Sequence, residues 1–505
     1  MPQTNNLLTI YYSILLQAVI KFFTNPLRKI PGPWFSRFTE IPYMYFVLRG
    51  DITRHHLFLL KKYGPITRVR PNCVIISNNK EFKKVLATYR YKKSYVYEGF
   101  ANLEQSIFST RDENFNRMRR RQVGPAFSQT GLDSVDSLIT EICVDSFEKK
   151  LREIIQEGNG VVQFNFFKYF QNVTADVIGE LAFGKSFDAV QNDGHPITDW
   201  VNTAMKNFIL FKSFPILKLL QYIYPGLRKN EKKLENFCLE SIEQRRRLIK
   251  NKSYNEKRID ILQMYLTSIN TSNNQPLSDS EIVTEMVTMV IAGVDTTSIT
   301  MTWLLTFYLL YPEVYNKVRE EIRSNFPDKN AKITLQSSRE KLPYFIATVY
   351  ETLRIRGSVG SALMRDIPID RTEICGYEIP KNVLIGMSIP GSNNDPELWE
   401  NPDSFNPDRF LGPEGERLKK EITAFSTGVR ICPGKNLAWM EIAEIIANML
   451  NNFDLELPSD SMYGPNILDA GRHNEPLLPK DVTFATRPPA YPDRDCNVII
   501  KERAS

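Results

Sequence analysis

Apolar positions recur with a helical period from about residue 135 onward, whereas strand-like runs are short. Three such runs stand out: VIIS at residues 74–77, ICGYEI at 374–379 and NVII at 497–500. The pattern predicts a mainly α protein with small β-sheets. The longest helical pattern begins at Ser278 and runs to about Leu310. Ser278 and Glu281 have the spacing of a capping box, and Pro312 closes the far end. Its centre reads AGVDTTS, residues 292–298. Gly there costs about 1 kcal/mol against Ala, and Asp and Thr are also poor helix formers. Ser and Thr side chains can bond back to the carbonyl four residues earlier and bend the helix. Residues 290–310 are nearly all apolar, so a membrane span is an alternative. Asp295 in mid-span would be expensive, and a buried helix with a polar defect is the reading adopted.

The N-terminus has a different pattern. Residues 7–23, LLTIYYSILLQAVIKFF, are apolar apart from Thr9, Ser13, Gln17 and Lys21. A span needs about 20 such residues. This run is slightly short, and Lys21 would have to snorkel. It lacks the basic start and small-residue cleavage site of a signal peptide. Arg28 and Lys29 follow it, which places the remainder of the chain on the cytosolic side of a membrane. A buried amphipathic helix of the main domain is the alternative. Pro26, Pro31 and Pro33 then stiffen a short spacer. The expected organisation is an anchor at 1–25, a proline-rich hinge at 26–33 and one large domain at 34–505.

Composition changes this picture little. Of 505 residues, 42% are hydrophobic and 24% charged, as in ordinary globular proteins. A net charge of +6 is mild and gives no nucleic-acid footprint. The six cysteines, Cys73, Cys143, Cys238, Cys375, Cys432 and Cys496, are far apart. That spacing argues against structural zinc, iron–sulfur clusters and a disulfide framework.

One cysteine has unusual neighbours. FSTGVRICPGKNLA, residues 425–438, sets Cys432 among glycines, an arginine and a proline, just before an apolar run. A single thiolate cannot hold zinc, but it can be the axial ligand of a haem iron, whose porphyrin supplies the other donors. Gly428 and Gly434 would let the backbone lie close to a flat macrocycle and adopt positive φ. Arg430 could pair with a haem propionate. The following apolar run reads as a helix whose N-terminal dipole favours an anion. A buried inert cysteine is the alternative.

This stretch matches the F-x-x-G-x-R-x-C-x-G signature of the cytochrome P-450 monooxygenases, and the resemblance extends over almost the whole chain. ETLR, from Glu351 to Arg354, is similar to the family's E-x-x-R element. NPDRF at 406–410 is similar to its P-E-R-F element, with Asp408 in place of Glu. The resemblance implies a structural Glu351–Arg354–Arg409 network behind the haem. AGVDTTS resembles the family's acid–alcohol element above the haem. The proline hinge, KKYGPITRVRPN at 61–72 and RIRGSVGSALMR at 354–365 resemble fungal microsomal members, among them hydroxylases of benzoate-type acids. Two departures stand out. Asn116 occupies a position where the family often has Trp or His. The stretch after Arg354 is glycine-rich rather than proline-rich.

The resemblance carries a set of expectations. The cofactor is haem b, held by Cys432 and contacted by Phe425, Gly434, Arg430, Arg120 and Arg365. Asp295 and Thr296 deliver protons during dioxygen activation, while Thr297 and Ser298 pack the helix. Gly293 and Ala292 are small enough for oxygen and substrate to approach. Substrate contacts fall to Phe100, Ile107, Phe108, Ala292, Val359 and residues 208–214, all apolar or aromatic around them, as a lipophilic or aromatic substrate requires. FILFKSFPILKLL at 208–220 reads equally as channel or core. Arg356 is either a partner for a substrate carboxylate or an exposed structural residue. Electrons come from NADPH through a separate NADPH–cytochrome P-450 reductase, with cytochrome b5 as a further partner, docking near Lys435 and Arg117 to Arg121. The location is the endoplasmic reticulum membrane. A haem-thiolate isomerase or dehydratase that uses no dioxygen is the alternative function, and a non-catalytic haem sensor a more distant one.

Overall fold

The computed structural model describes residues 16, 19, 20, 22–100, 103–213, 225–253, 260–270 and 274–504. Most of the expected anchor, residues 7–23, and much of the 208–220 stretch lie outside the described residues. The remainder is mainly helical with small sheets, as the periodicity predicts.

Seven strands frame the helices: β1 Ile66–Arg70, β2 Cys73–Ile76, β3 Val161–Asn165, β4 Ala362–Asp366, β5 Leu384–Ser388, β6 Phe453–Glu456 and β7 Asn497–Glu502. The larger sheet has the order β1-β2-β5-β4. β2 and β5 run parallel, with Val74 opposite Ile385, and β4 and β5 antiparallel, with Arg365 opposite Ile385. The smaller sheet has the order β6-β7-β3. ICGYEI forms the hairpin Thr372–Ile374 with Tyr377–Ile379.

Five helices position the site: α1 Glu113–Phe127, α2 Phe166–Phe183, α3 Asp279–Leu310, α4 Pro343–Arg356 and α5 Lys435–Asn452. α3 starts where the capping pair places it. Ser278 accepts from the Glu281 backbone N–H, and the Glu281 side chain accepts from the Ser278 N–H. Among the described residues α3 is the one helix long and apolar enough to cross a membrane, but 72% of its apolar window is buried inside the protein. It is the core helix of the domain, and it packs along α2.

Glycine and threonine make that packing close. A Cβ on Gly293 would lie 2.8 Å from Ile178 Cγ1 of α2, so only glycine fits. Thr174 of α2 donates to the Val294 carbonyl at 2.9 Å. Thr296, Ser298, Thr300, Thr302 and Thr306 all donate to carbonyls four residues back, at 2.7–3.0 Å. The polar run is thus absorbed by back-bonding and helix contact, and α3 stays continuous. Gly293 thus lets α2 approach α3 closely.

Candidate active site

The cysteine loop is fixed before α5 begins. The Cys432 N–H donates to the Phe425 carbonyl at 2.9 Å, which closes the loop on itself. Gly428 has φ +65°, and a Cβ there would lie 2.2 Å from the Leu86 carbonyl oxygen. The loop therefore lies directly against the end of helix Asn79–Leu86, as only glycine permits. Gly434 differs from expectation: it is the N-cap of α5 at φ −80°, in ordinary backbone space. Its role is different, since its N–H donates to the Cys432 sulfur. Cys432 retains accessible surface while being densely surrounded, so its sulfur lies on the wall of an internal recess. Burial pushes the thiol up, against the Gly434 N–H and the charges of Arg120 and Lys435. Phe425 is half-buried against the core.

Cations converge beside this loop. Arg120 donates through Nη2 to the Ile431 carbonyl at 2.7 Å and through Nε to Asn116 Oδ1 at 3.2 Å. Arg365, buried on β4, donates to Tyr97 Oη at 3.3 Å and to the Met364 carbonyl at 2.9 Å. Arg430 stands over the Tyr89 ring, and its buried Nη1 has no hydrogen-bond partner. Burial, and then the neighbouring Arg365, lower Arg430 to about 10. Lys93 is a fourth cation, and sequence reasoning missed it. It is bridged to Arg365 across the strand edge, and its Nζ donates to the Phe108 carbonyl. Burial, then Arg430, Arg365 and Arg120, push Lys93 far below its usual value. The adjacent Lys92-Lys93 pair before an aromatic run was the available signal. Among the described residues, none of these four cations forms an ion pair with a carboxylate. Three guanidiniums without a carboxylate partner, a buried lysine whose charge only an anion would restore, and an orphaned buried guanidinium N–H fit a dianionic group. With a lone thiol beside a glycine cradle, the donor set fits haem and its two propionates.

The α3 residues have their own surroundings. Asp295 is 3% exposed; its carboxyl bonds to Thr486 and Gln171, and burial raises it to about 6. The Thr296 hydroxyl donates to the Ala292 carbonyl at 2.8 Å on a more open flank, and Ala292 itself is exposed. Phe100 and Phe108 pack edge-to-face at 5.3 Å between ring centres, with Tyr97 against Phe108. Val359 is half-buried and bridged to Thr486. In the 208–214 stretch, helix Pro196–Ser213 covers the backbone to residue 213, and the side chains lie outside the described residues.

The network behind the site forms as the motifs imply. Arg354 donates to both Glu351 oxygens at 2.6 and 2.8 Å, and Arg409 adds a bond at 3.1 Å. Glu351 and Arg354 side chains are fully buried. Arg354 also donates to the carbonyls of Asn393, Pro402 and Ser404, which ties α4 to the loop before the Cys432 segment. Arg356 is neither exposed nor free. It pairs with buried Asp481 at 3.2 Å and lies over Trp303, because Asp481 already serves Arg487 and draws a second guanidinium. It is therefore not offered to a substrate carboxylate.

A thiol-bearing loop at a helix start, cations without carboxylate partners beside it and an acid–alcohol pair on the core helix are together the features of the haem-thiolate class. Residues 31–476 match the cytochrome P450 family model. The chain belongs to the cytochrome P450 family, and its enzyme class is that of a monooxygenase, an oxidoreductase whose cofactor is haem. Its relatives are fungal. It is 30% identical over 495 residues to cytochrome P450 monooxygenase helB1 of Aspergillus fumigatus, covering 97% of this chain and 84% of that protein. Identity to cytochrome P450 monooxygenase helB2 of the same organism is 30% over 491 residues, 95% of this chain and 94% of that one. Identity to cytochrome P450 monooxygenase acrD of Aspergillus aculeatus is 28% over 451 residues, 88% of each chain.

Proposed function

We propose that this enzyme inserts one oxygen atom from dioxygen into a lipophilic or aromatic small molecule, with electrons from NADPH delivered by a separate reductase. The observation that carries the reading is the convergence of Arg120, Arg365, Arg430 and Lys93 beside the Cys432 loop, none of them paired with a carboxylate among the described residues. Haem bound through Cys432 supplies the iron at which dioxygen is activated. Cys432 would hold the iron through its sulfur, and Arg120, Arg365 and Arg430 would neutralise the propionates. Thr296 offers its hydroxyl from the open flank of α3. Asp295, raised to about 6 by burial, can hold and release a proton near neutral pH. Phe100, Phe108, Ala292 and Val359 shape the substrate side. Glu351, Arg354 and Arg409 hold the scaffold. Residues 7–23 anchor the enzyme in the endoplasmic reticulum membrane with the domain on the cytosolic side, and cytochrome b5 is an additional electron donor.

The test is turnover by the purified enzyme with reductase and NADPH against aromatic acids, fatty acids, steroids and terpenes under isotopically labelled dioxygen. The reading predicts one labelled oxygen in the product and NADPH consumption that rises with substrate. A product formed without NADPH or dioxygen consumption would establish the isomerase or dehydratase instead.

A further inference from the structure

Asn116 stands where much of the family places an aromatic or imidazole side chain, and the structure gives it a different task. It is 1% exposed, and its Nδ2 donates to the Ile107 carbonyl at 2.8 Å. Its Oδ1 accepts from Arg120 Nε at 3.2 Å. The same Ile107 is gripped from its other end. Its N–H reaches both oxygens of Glu285 on α3, at 2.9 and 3.1 Å. Glu285 is fully buried and accompanied by Arg119 at 3.2 Å, which itself pairs with Glu281 at 2.8 Å. Tyr265 approaches the far oxygen of Glu285 at 3.5 Å. Two helices thus hold the two peptides that flank Ile107, in the loop between Lys93 and α1, and one of them passes the contact on to Arg120.

We infer that Glu285 and Asn116 are positioning residues that clip the Ile107 backbone at its N–H and its C=O and so fix the Ile107–Phe108 loop tip relative to the haem-side arginine. The inference rests on the proposed reading of Ile107 and Phe108 as substrate-facing. Buried backbone N–H groups are nearly always paired, but pairing with a buried carboxylate is stronger than a loop needs. Burial raises Glu285 to about 7, opposed first by the Ile107 N–H and then by Arg119. Phe108 itself is 44% exposed; its carbonyl accepts from Lys93, its N–H donates to Ser106 Oγ at 3.3 Å and its ring packs on Tyr97 and Phe100, so the Ile107 bonds are what tie this tip to α1 and α3. Loss of either grip would loosen the Ile107–Phe108 tip while the Cys432–Phe425 and Arg120–Ile431 bonds of the cysteine loop remain.

Two iron-binding probes separate loop from haem in the holoenzyme. Imidazole is too small to reach the loop; 4-phenylimidazole carries a ring that must pack against it. Asn116→Ala and Glu285→Leu should each weaken 4-phenylimidazole about tenfold and leave imidazole within about twofold, read from the Soret shift. Glu285→Gln keeps an acceptor for the Ile107 N–H and should recover most of the affinity. Should Glu285→Leu fail to fold around the stranded Arg119, amide hydrogen exchange in the wild type decides. Ile107 should exchange slowly, as a core amide does. Exchange at the rate of a free loop amide would overturn the clip, as would equal weakening of both probes or of neither. A wild type without a thiolate-haem spectrum would overturn the functional reading instead, and the exchange experiment would still judge the clip.

Discussion

Asp295 and Thr296 are neighbours in sequence and face different surroundings. The Asp295 carboxyl is buried against Gln171 of α2 and Thr486, while the Thr296 hydroxyl rests on the Ala292 carbonyl at 2.8 Å on the open flank. The helical twist alone separates them, so one residue can hold a proton shielded from solvent while the next presents a hydroxyl on the open flank. Thr296→Ala should not destabilise the helix, since Ala is the better helix former. It should divert reducing equivalents, seen as more hydrogen peroxide per NADPH. Asp295→Asn should instead slow turnover about a hundredfold, the range for loss of a general acid.

A second buried acid offers a pH test free of the chemistry. Glu441 on α5 bonds to Thr297, and burial pushes it from 4.5 up to about 8. The folded state therefore favours its protonated form. Its stabilising share is complete below about pH 4.5 and is lost as pH rises through about 8. Glu441→Gln should come close to the wild type near pH 5 and gain on it by about 3–4 kcal/mol near pH 8. Thermal unfolding at both pH values checks this. An equal effect at the two would show that Glu441 does not titrate in that window.

The Glu351 network is structural, and its removal should be costly. Glu351→Ala strands two guanidiniums, one of them fully buried. Breaking a buried pair costs about 3–5 kcal/mol. Denaturation should show a loss of that size with haem poorly retained. Arg409→Ala, at the partly exposed edge, should cost less.

Lys435 and Arg117 are exposed on the Cys432 side, and Arg117 stacks on Tyr89. Reversing both to Glu should slow reductase-driven turnover severalfold, through association with an acidic partner. Peroxide-driven turnover should be unchanged. Equal loss by both routes would remove this face from consideration as the docking surface.

Much of this site is legible from the sequence because its parts are local. The capping pair Ser278–Glu281, the proline stops and the glycines around Cys432 each act within a few residues, so spacing alone reveals them. Glu351 and Arg354 share a helix face for the same reason. What the sequence hides is long-range. Lys93 meets Arg365 across a strand edge, and Asn116 and Glu285 meet at Ile107 from different helices. No periodicity announces such contacts. Arg356 looks available until Asp481, 125 residues away, is brought beside it. Gly293 shows its close contact only once Ile178 of α2 is brought beside it.

The central claim is that Cys432, alone among the cysteines, ligates the haem. The most direct measurement is the difference spectrum of the reduced protein with carbon monoxide, taken on wild type and on Cys432→Ala. The account predicts the red-shifted Soret band of a thiolate-ligated carbonyl in the wild type and its complete absence in the variant. Persistence of that band in Cys432→Ala would contradict it.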